Sequence, residues 1–385
     1  MNSNSTRILN IDISNTSKQQ LLAEIKKGGV LLTPNVDHMV KLQKDPEFYR
    51  IYTKADYVVC DSKILLWASK FLGCKIQEKI SGSDFFPSFY RYYKYDESIK
   101  IFLLGGAVGV AELAKQRINR KAGRQIVVAA HSPSFGFEKQ PAECREIVDL
   151  INQSGATVLA IGVGAPKQEK WLYKYKDQLG NIQIFLAIGA TIDFEAGFYQ
   201  RAPKWMSEVG LEWLHRFVSE PKRLWRRYLV ESLPFFWLVL QQKMNFYRYK
   251  KPIGLVLQEA DLLSPEQVEQ ILESQAASGQ RFGEIAVRKG WLAPQTIHFF
   301  TTEILKLAQQ EPKPIGQYLK AAALLDNRQI YAVLEEQKRI RRPFGEIVVQ
   351  KGWLSRQTID FFLALTTSHS CPVSSPVDDF ALQSN

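Results

Sequence analysis

Five times in the first 200 residues, a short apolar run ends on a small or polar residue and gives way to a helical pattern. The exits read Leu31-Leu32-Thr33-Pro34-Asn35, Tyr57-Val58-Val59-Cys60-Asp61, Phe102-Leu103-Leu104-Gly105-Gly106, Ala160-Ile161-Gly162-Val163-Gly164 and Leu186-Ala187-Ile188-Gly189-Ala190-Thr191. Strand-length apolar runs that alternate with 3.6-period segments predict βα units on a mostly parallel sheet. The expected fold class is α/β, a Rossmann-like sheet with flanking helices. Ligands in such sheets sit beyond the carboxyl ends of the strands, so the five exits are the first candidates for a site.

A chain of 385 residues exceeds one ordinary core, and two domains are the expectation. With 45% hydrophobic and 23% charged residues, wholesale disorder is excluded. The cysteines Cys60, Cys74, Cys144 and Cys371 form no C-x-x-C pair, which fits reduced thiols in a reducing compartment. The opening residues MNSNSTRILNIDIS lack the basic and apolar blocks of a signal peptide, so a cytoplasmic chain is expected.

The formal charge of +11 is concentrated between Arg201 and Lys251, where basic residues greatly outnumber Glu208, Glu212, Glu220 and Glu231. Trp205, Trp213, Phe217, Trp225, Phe236 and Trp237 are interleaved with them. Basic charge mixed with large rings suits an anionic membrane surface better than nucleic acid, and better than a plain solvated helix. The run Leu233 to Leu240 is far short of the roughly 20 residues that span a bilayer, so no transmembrane helix is expected.

Past Tyr249 the pattern becomes helical and repetitive. GEIAVRKGWLAPQTIHF (283–299) recurs as GEIVVQKGWLSRQTIDF (345–361), an offset of 62 residues that also relates Pro252-Ile253-Gly254 to Pro314-Ile315-Gly316. Duplicated helical modules, each burying a face on its neighbour, are expected. The resulting division is a core (1–200), a basic aromatic segment (201–250), a duplicated helical region (251–367) and a disordered Ser/Pro-rich tail (368–385).

At the first exit, Thr33 and Asn35 could bind a sugar or base edge, or Asn35 could cap the next helix. Asp61 follows an apolar strand and precedes a helix. It is a candidate general base and, with equal standing, a candidate N-cap. Gly105 and Gly106 open a turn into a helix, where backbone can approach a phosphate; a simple tight turn reads nearly as well. No acid stands about 20 residues on, so a nicotinamide cofactor is disfavoured. Gly164-Ala165-Pro166-Lys167-Gln168-Glu169 places charged and amide groups on a helix's first turn, with Lys167 suited to a phosphate and Gln168 to a uracil or sugar edge. His38, His215 and His298 have no metal-ligand spacing and read as packing or capping residues.

The ordered set TPN (33–35), D (61), GSD (82–84), LLGG (103–106), GAPKQE (164–169), DFEAG (193–197), RAP (201–203), EWLHR (212–216) and EPKR (220–223) resembles the WecG/TagA/CpsF glycosyltransferases over roughly residues 8 to 245. The resemblance implies inverting transfer of an N-acetylmannosamine-type sugar, without metal or other cofactor, from a UDP donor to a polyprenyl-diphosphate-linked sugar. Such enzymes build cell-surface polymers and exopolysaccharides as peripheral proteins on the inner membrane face. It also implies Asp61 as the base, with Thr33, Asn35, Lys79, Asp84, Gly105, Gly106, Gly164, Lys167, Gln168, Glu169 and Asp193 about the substrates. Arg216, Arg223 and Arg226 would close over the diphosphate. Two positions depart from the family pattern. Ser62 replaces the usual Gly after the base, and Lys79 replaces an Arg, which keeps charge but loses bidentate geometry.

The repeats resemble the MshEN-type N-domains of type II secretion and pilus ATPases, some of which bind cyclic di-GMP. Only Arg281, among the half-repeat starts Pro252, Arg281, Pro314 and Pro343, keeps the expected arginine. A helical module that docks a protein and a nucleotide sensor both remain open. The rival to an enzyme is a non-catalytic nucleotide-binding regulator that uses the transferase fold, for which Ser62 and Lys79 argue.

Overall fold

The computed structural model describes residues 5–199, 231–244, 246–247, 251–304 and 313–367, with isolated positions between 203 and 225. Contacts divide the chain into two units, Met1–Tyr247 and Arg248–Asn385.

The first unit opens with an antiparallel hairpin of β1 (Ser5–Ile8) and β2 (Ile11–Ser14), then α1 (Lys18–Glu24). Next come β3 (Gly29–Leu32), α2 (Val36–Lys41), α3 (Pro46–Thr53), β4 (Tyr57–Val58), α4 (Lys63–Leu72) and α5 (Gly82–Tyr92). The alternation continues with β5 (Ile101–Gly105), α6 (Val110–Ala122), β6 (Val127–His131), α7 (Pro141–Gln153) and β7 (Val158–Gly162). It closes with α8 (Lys167–Tyr175), β8 (Ile184–Ala187) and α9 (Thr191–Ala196), and α10 (Leu233–Lys243) stands after the segment that is described only at isolated positions.

Strands β3 to β8 form one parallel six-stranded sheet in the order β4-β3-β8-β7-β5-β6. The fold is therefore the α/β, Rossmann-like arrangement anticipated from the strand exits. From β3 the chain steps outward to β4 at one edge; from β5 it steps outward to β6 at the other, and β7 and β8 fill the middle.

Strands β5 and β7 are buried throughout, as parallel strands covered on both faces must be, and both are unbroken apolar runs. Alternate residues Ile101, Leu103, Val158, Ala160 and Leu186 share one core with Phe85 and Phe89 of α5 and Ala114 of α6. Helix starts are set locally. Ser17 forms a capping box with Gln20, Asp45 caps α3 ahead of Pro46, and Ser81 caps α5.

Two elements went unread in the sequence. The β1–β2 hairpin is only four residues a strand, although Ile8, Ile11 and Ile13 alternate inward and are buried. Strand β6 is an edge strand, mostly half-buried, and its short apolar run Val127–Ala130 ends on His131 with no glycine or acid at its exit.

In the second unit, helices Ile253–Glu259, Pro265–Ser278, Phe282–Arg288 and Pro294–His298 are followed by Ile315–Ala321, Asn327–Ile340, Phe344–Gln350 and Arg356–Thr367. Each start recurs after the 62-residue offset of the sequence repeat. The repeats grip each other reciprocally. Thr296 Oγ1 donates to the Ala322 carbonyl at 2.8 Å, and its counterpart Thr358 donates to the Ala260 carbonyl at 2.9 Å. Phe299 stacks on Phe362 at 5.7 Å, mirrored by Phe300 against Phe361 at 5.9 Å. Equivalent groups exchanged in both directions define a local two-fold relation around one shared core.

Thr296→Val and Thr358→Val should each destabilise the second unit by about 1–2 kcal/mol, because each strands a buried carbonyl. Urea unfolding of the full chain checks this. Unequal losses, large for one variant and absent for the other, would contradict the reciprocal arrangement.

Candidate active site

The five strand exits are tied to one another in the order of the strands themselves. At the β4 edge, the Asp61 amide donates to the Pro34 carbonyl at 3.0 Å, which joins the β4 and β3 exits. Thr33 Oγ1 donates to the Ala187 carbonyl at 3.4 Å, joining β3 to β8. The Gly189 amide donates to Gln168 Oε1 at 3.2 Å, joining β8 to the α8 turn that follows β7. Between β5 and β7 the link is close packing: a Cβ on Gly105 would stand 2.5 Å from the Gly162 carbonyl oxygen, and one on Gly162 2.4 Å from that of Gly189. Glycine is required there because three backbones meet where a side chain would lie. Asp193, on the first turn of α9, has its Oδ1 3.6 Å from the position a Cβ on Gly106 would take.

At this rim Ser62, not Asp61, caps α4: its side chain accepts from the Leu65 amide at 3.1 Å. The capping role that competed with catalysis for Asp61 is thus filled by its neighbour, the same serine that departs from the family pattern. Asn35 does cap α2, accepting from the amides of Asp37 and His38 at 3.0 and 3.3 Å. Lys79 lies close by, since the Ile80 amide donates to the Cys60 carbonyl at 2.8 Å. Its ammonium pairs with Asp84 at 3.2 Å, and Ser81 Oγ donates to the same carboxylate at 2.7 Å. Burial pushes the Cys60 thiol up to about 12, reinforced by the Asp61 charge and opposed by that of Lys79. Cys60 is therefore a packed thiol rather than a nucleophile.

Behind the rim lies a buried polar cluster that was largely unanticipated. Tyr52 of α3 meets His38 Nδ1 through its hydroxyl at 2.8 Å. Burial holds the Tyr52 hydroxyl well above its ordinary value, and the charges of Glu169, Asp61 and Asp37 add to the effect. Asp37 is paired with Lys41 at 2.8 Å. His38 is the packing residue expected of it, whereas Asp37 and Tyr52 carried no signal beyond lying near an exit and on an amphipathic helix.

Glu169 is 1% exposed. Its Oε1 accepts from Gln168 Nε2 at 2.8 Å, and its Oε2 is buried without a hydrogen-bond partner among the described residues. Gln168, itself buried, therefore has its carbonyl turned to Gly189 and an N–H turned to Glu169. Burial raises the Glu169 carboxyl to about 7, against the lowering influence of Gln168 and Lys41. The folded chain thus holds a proton that the unfolded chain releases as pH climbs from the ordinary 4.5 to about 7. Stability should fall across that window, by about 3 kcal/mol in all, and level off above it. Glu169→Gln should abolish this slope in urea-unfolding measurements from pH 4.5 to 8. An unchanged slope would place the titration elsewhere.

The remaining candidates divide. Gly164 has open space around it, with φ at +83°. Lys167 pairs with Glu138 at 3.1 Å and lies over the exposed Phe135 ring, so its charge is already balanced by a carboxylate. Within the DFEAG stretch, Glu195 is structural: it is buried and takes Lys121 at 2.7 Å and the Tyr90 hydroxyl at 3.2 Å. Arg216, Arg223 and Arg226 lie outside the described residues.

Comparison with known proteins gives this rim its context. The model of the glycosyl transferase WecG/TagA/CpsF family matches residues 6–249. The chain belongs to this family. An N-acetylglucosaminyldiphosphoundecaprenol N-acetyl-beta-D-mannosaminyltransferase of Bacillus spizizenii is 29% identical over 209 residues, covering 54% of this chain and 77% of that enzyme. An enzyme of the same description from Bacillus subtilis is 24% identical over 221 residues, covering 57% of this chain and 82% of its own. The WecG/TagA/CpsF match spans the strand exits and α10, and the duplicated helices lie beyond it. Among the described residues, no helix of this transferase is long and apolar enough to cross a membrane.

Proposed function

We propose that this transferase moves an N-acetylmannosamine-type sugar from a UDP donor to a polyprenyl-diphosphate-linked sugar, with inversion, during synthesis of a cell-surface polymer or exopolysaccharide. The observation that carries the reading is Asp61 at the β4 exit, relieved of capping by Ser62 and held beside the β3 exit by its own amide. The activity named for the two Bacillus relatives supports the donor sugar and the lipid-linked acceptor.

In this mechanism the Asp61 carboxylate takes the proton of the acceptor hydroxyl as its oxygen attacks the anomeric carbon. The bond from that carbon to the UDP oxygen breaks, and its electron pair leaves on the diphosphate. Positive groups must meet the charge that develops there. Lys79 is near the base, and Arg216, Arg223 and Arg226 are assigned to the same task. Thr33, Asn35, Asp84, Gln168 and Asp193 frame the sugar and base, while the turns at Gly105–Gly106 and Gly164 admit the diphosphate. The enzyme works on the inner face of the membrane, docked through residues 201–250.

Acceptor-dependent UDP release, measured with a panel of UDP-sugars and a lipid-linked N-acetylglucosamine acceptor, tests this. UDP-N-acetylmannosamine is expected to give the fastest release. Cyclic di-GMP binding by calorimetry with no UDP release from any donor would replace the reading with the non-catalytic regulator.

A further inference from the structure

Helix α10 is turned the wrong way for a helix facing water. Its inner side is anchored: Phe235 and Val239 are buried, and Gln242 accepts from the Leu9 amide at 2.8 Å. Its outer side carries Phe236, Trp237, Leu240 and Met244, with Trp237 61% exposed. α10 packs on α2 and α4, and α4 presents a matching stripe in which Trp67 and Phe71 are each about half exposed. The stripes are joined where the Lys243 ammonium lies over the Phe71 ring at 5.7 Å. Rings and aliphatic groups so exposed on adjoining helices exceed the scattered apolar residues of an ordinary surface.

Charge identifies the occupant. Lys63, Lys70 and Lys243 lie on these two helices, and neither helix contains an acid. A second copy of the same face would bring like charges together, whereas an anionic lipid surface would neutralise them and accept the rings at its interface. α4 also begins two residues after Asp61 and, at ten residues, is about 15 Å long. A bilayer against its outer stripe would therefore run within a helix length of the proposed base.

We infer that the joint outer face of α4 and α10 seats on an anionic lipid bilayer, so that the globular core itself, and not the basic segment alone, contacts the membrane. This rests on the reading of a lipid-linked acceptor and extends it to Trp67 and Phe71, which lie outside residues 201–250.

The test is co-sedimentation of the full chain with vesicles of equimolar phosphatidylglycerol and phosphatidylcholine. Trp67→Ser/Phe71→Ser should weaken partitioning about tenfold or more, because two half-exposed rings lose their interfacial burial. Trp237→Ser should act in the same direction and provides the check if the double variant misfolds. Tyr95→Ser, which alters an exposed ring outside both helices, should leave partitioning within twofold. Equal binding by wild type and folded variants overturns the inference. So does a variant whose only change is the loss of a dimer in sedimentation velocity, since the occupant would then be a second copy. Vesicle binding that depends on Trp67 and Phe71, with no turnover by the wild type on any lipid-linked acceptor, upholds the face and overturns the acceptor reading instead.

Discussion

Asp61→Asn should lower turnover by about a hundred- to ten-thousandfold at saturating donor and acceptor, the range typical for removal of a positioned general base. Stability should move far less than turnover. The amide is isosteric, the tie from the residue 61 amide to the Pro34 carbonyl is backbone, and Ser62 supplies the cap of α4. Had Asp61 been the cap, Asp61→Ala would mainly have cost helix stability, about 1 kcal/mol, and Asp61→Asn would have kept both stability and turnover, because Asn caps as well as Asp. Steady-state kinetics and thermal unfolding on the same preparation separate the two. Wild-type turnover in a folded Asp61→Asn protein would remove Asp61 from the chemistry.

Gly162→Ala should be among the most damaging single methyls in the first unit, at about 3 kcal/mol. The new Cβ would stand 2.4 Å from the Gly189 carbonyl oxygen and 3.1 Å from Ile192 Cδ1. A side-chain terminus could swing away, but the backbone of a neighbouring strand exit cannot. Relief would come from displacing the turn that carries the Gly189 amide, which Gln168 holds. Turnover should therefore fall with stability. Gly164→Ala is the contrast: it meets nothing within 4 Å and carries only the strain of φ +83°, about 1 kcal/mol. Urea unfolding of both variants gives the comparison, and equal losses would contradict the crowding argument.

The central strands were legible because β5 and β7 are covered on both faces and must be apolar throughout, and because their exits need glycine for close backbone approach. Strand β6 and the β1–β2 hairpin were not: the apolar run of β6 ends on no glycine or acid, and the hairpin strands are only four residues long. At Asp61 the sequence left a base and a cap equally open. A shift of one residue in where α4 begins decides between them, and only the Ser62 hydrogen bond reveals that shift. Glu169 was readable as a polar group on a helix's first turn, but its burial beside Tyr52 was not. α3, α2 and α8 converge there from separate parts of the chain, and Tyr52 looks like any core aromatic. Likewise the 62-residue repeat was plain in the sequence, while the reciprocal exchange of Thr296 and Thr358 is a tertiary fact that no periodicity encodes.

The most direct test of a single displacement driven by Asp61 is the configuration of the new glycosidic bond, read by NMR on product made from an α-linked UDP-sugar donor. A β linkage, formed by the wild type and not by Asp61→Asn, is the expected result. An α linkage would mean retention, by two successive displacements or by attack on the face that UDP leaves, and would contradict a single inverting displacement driven by Asp61.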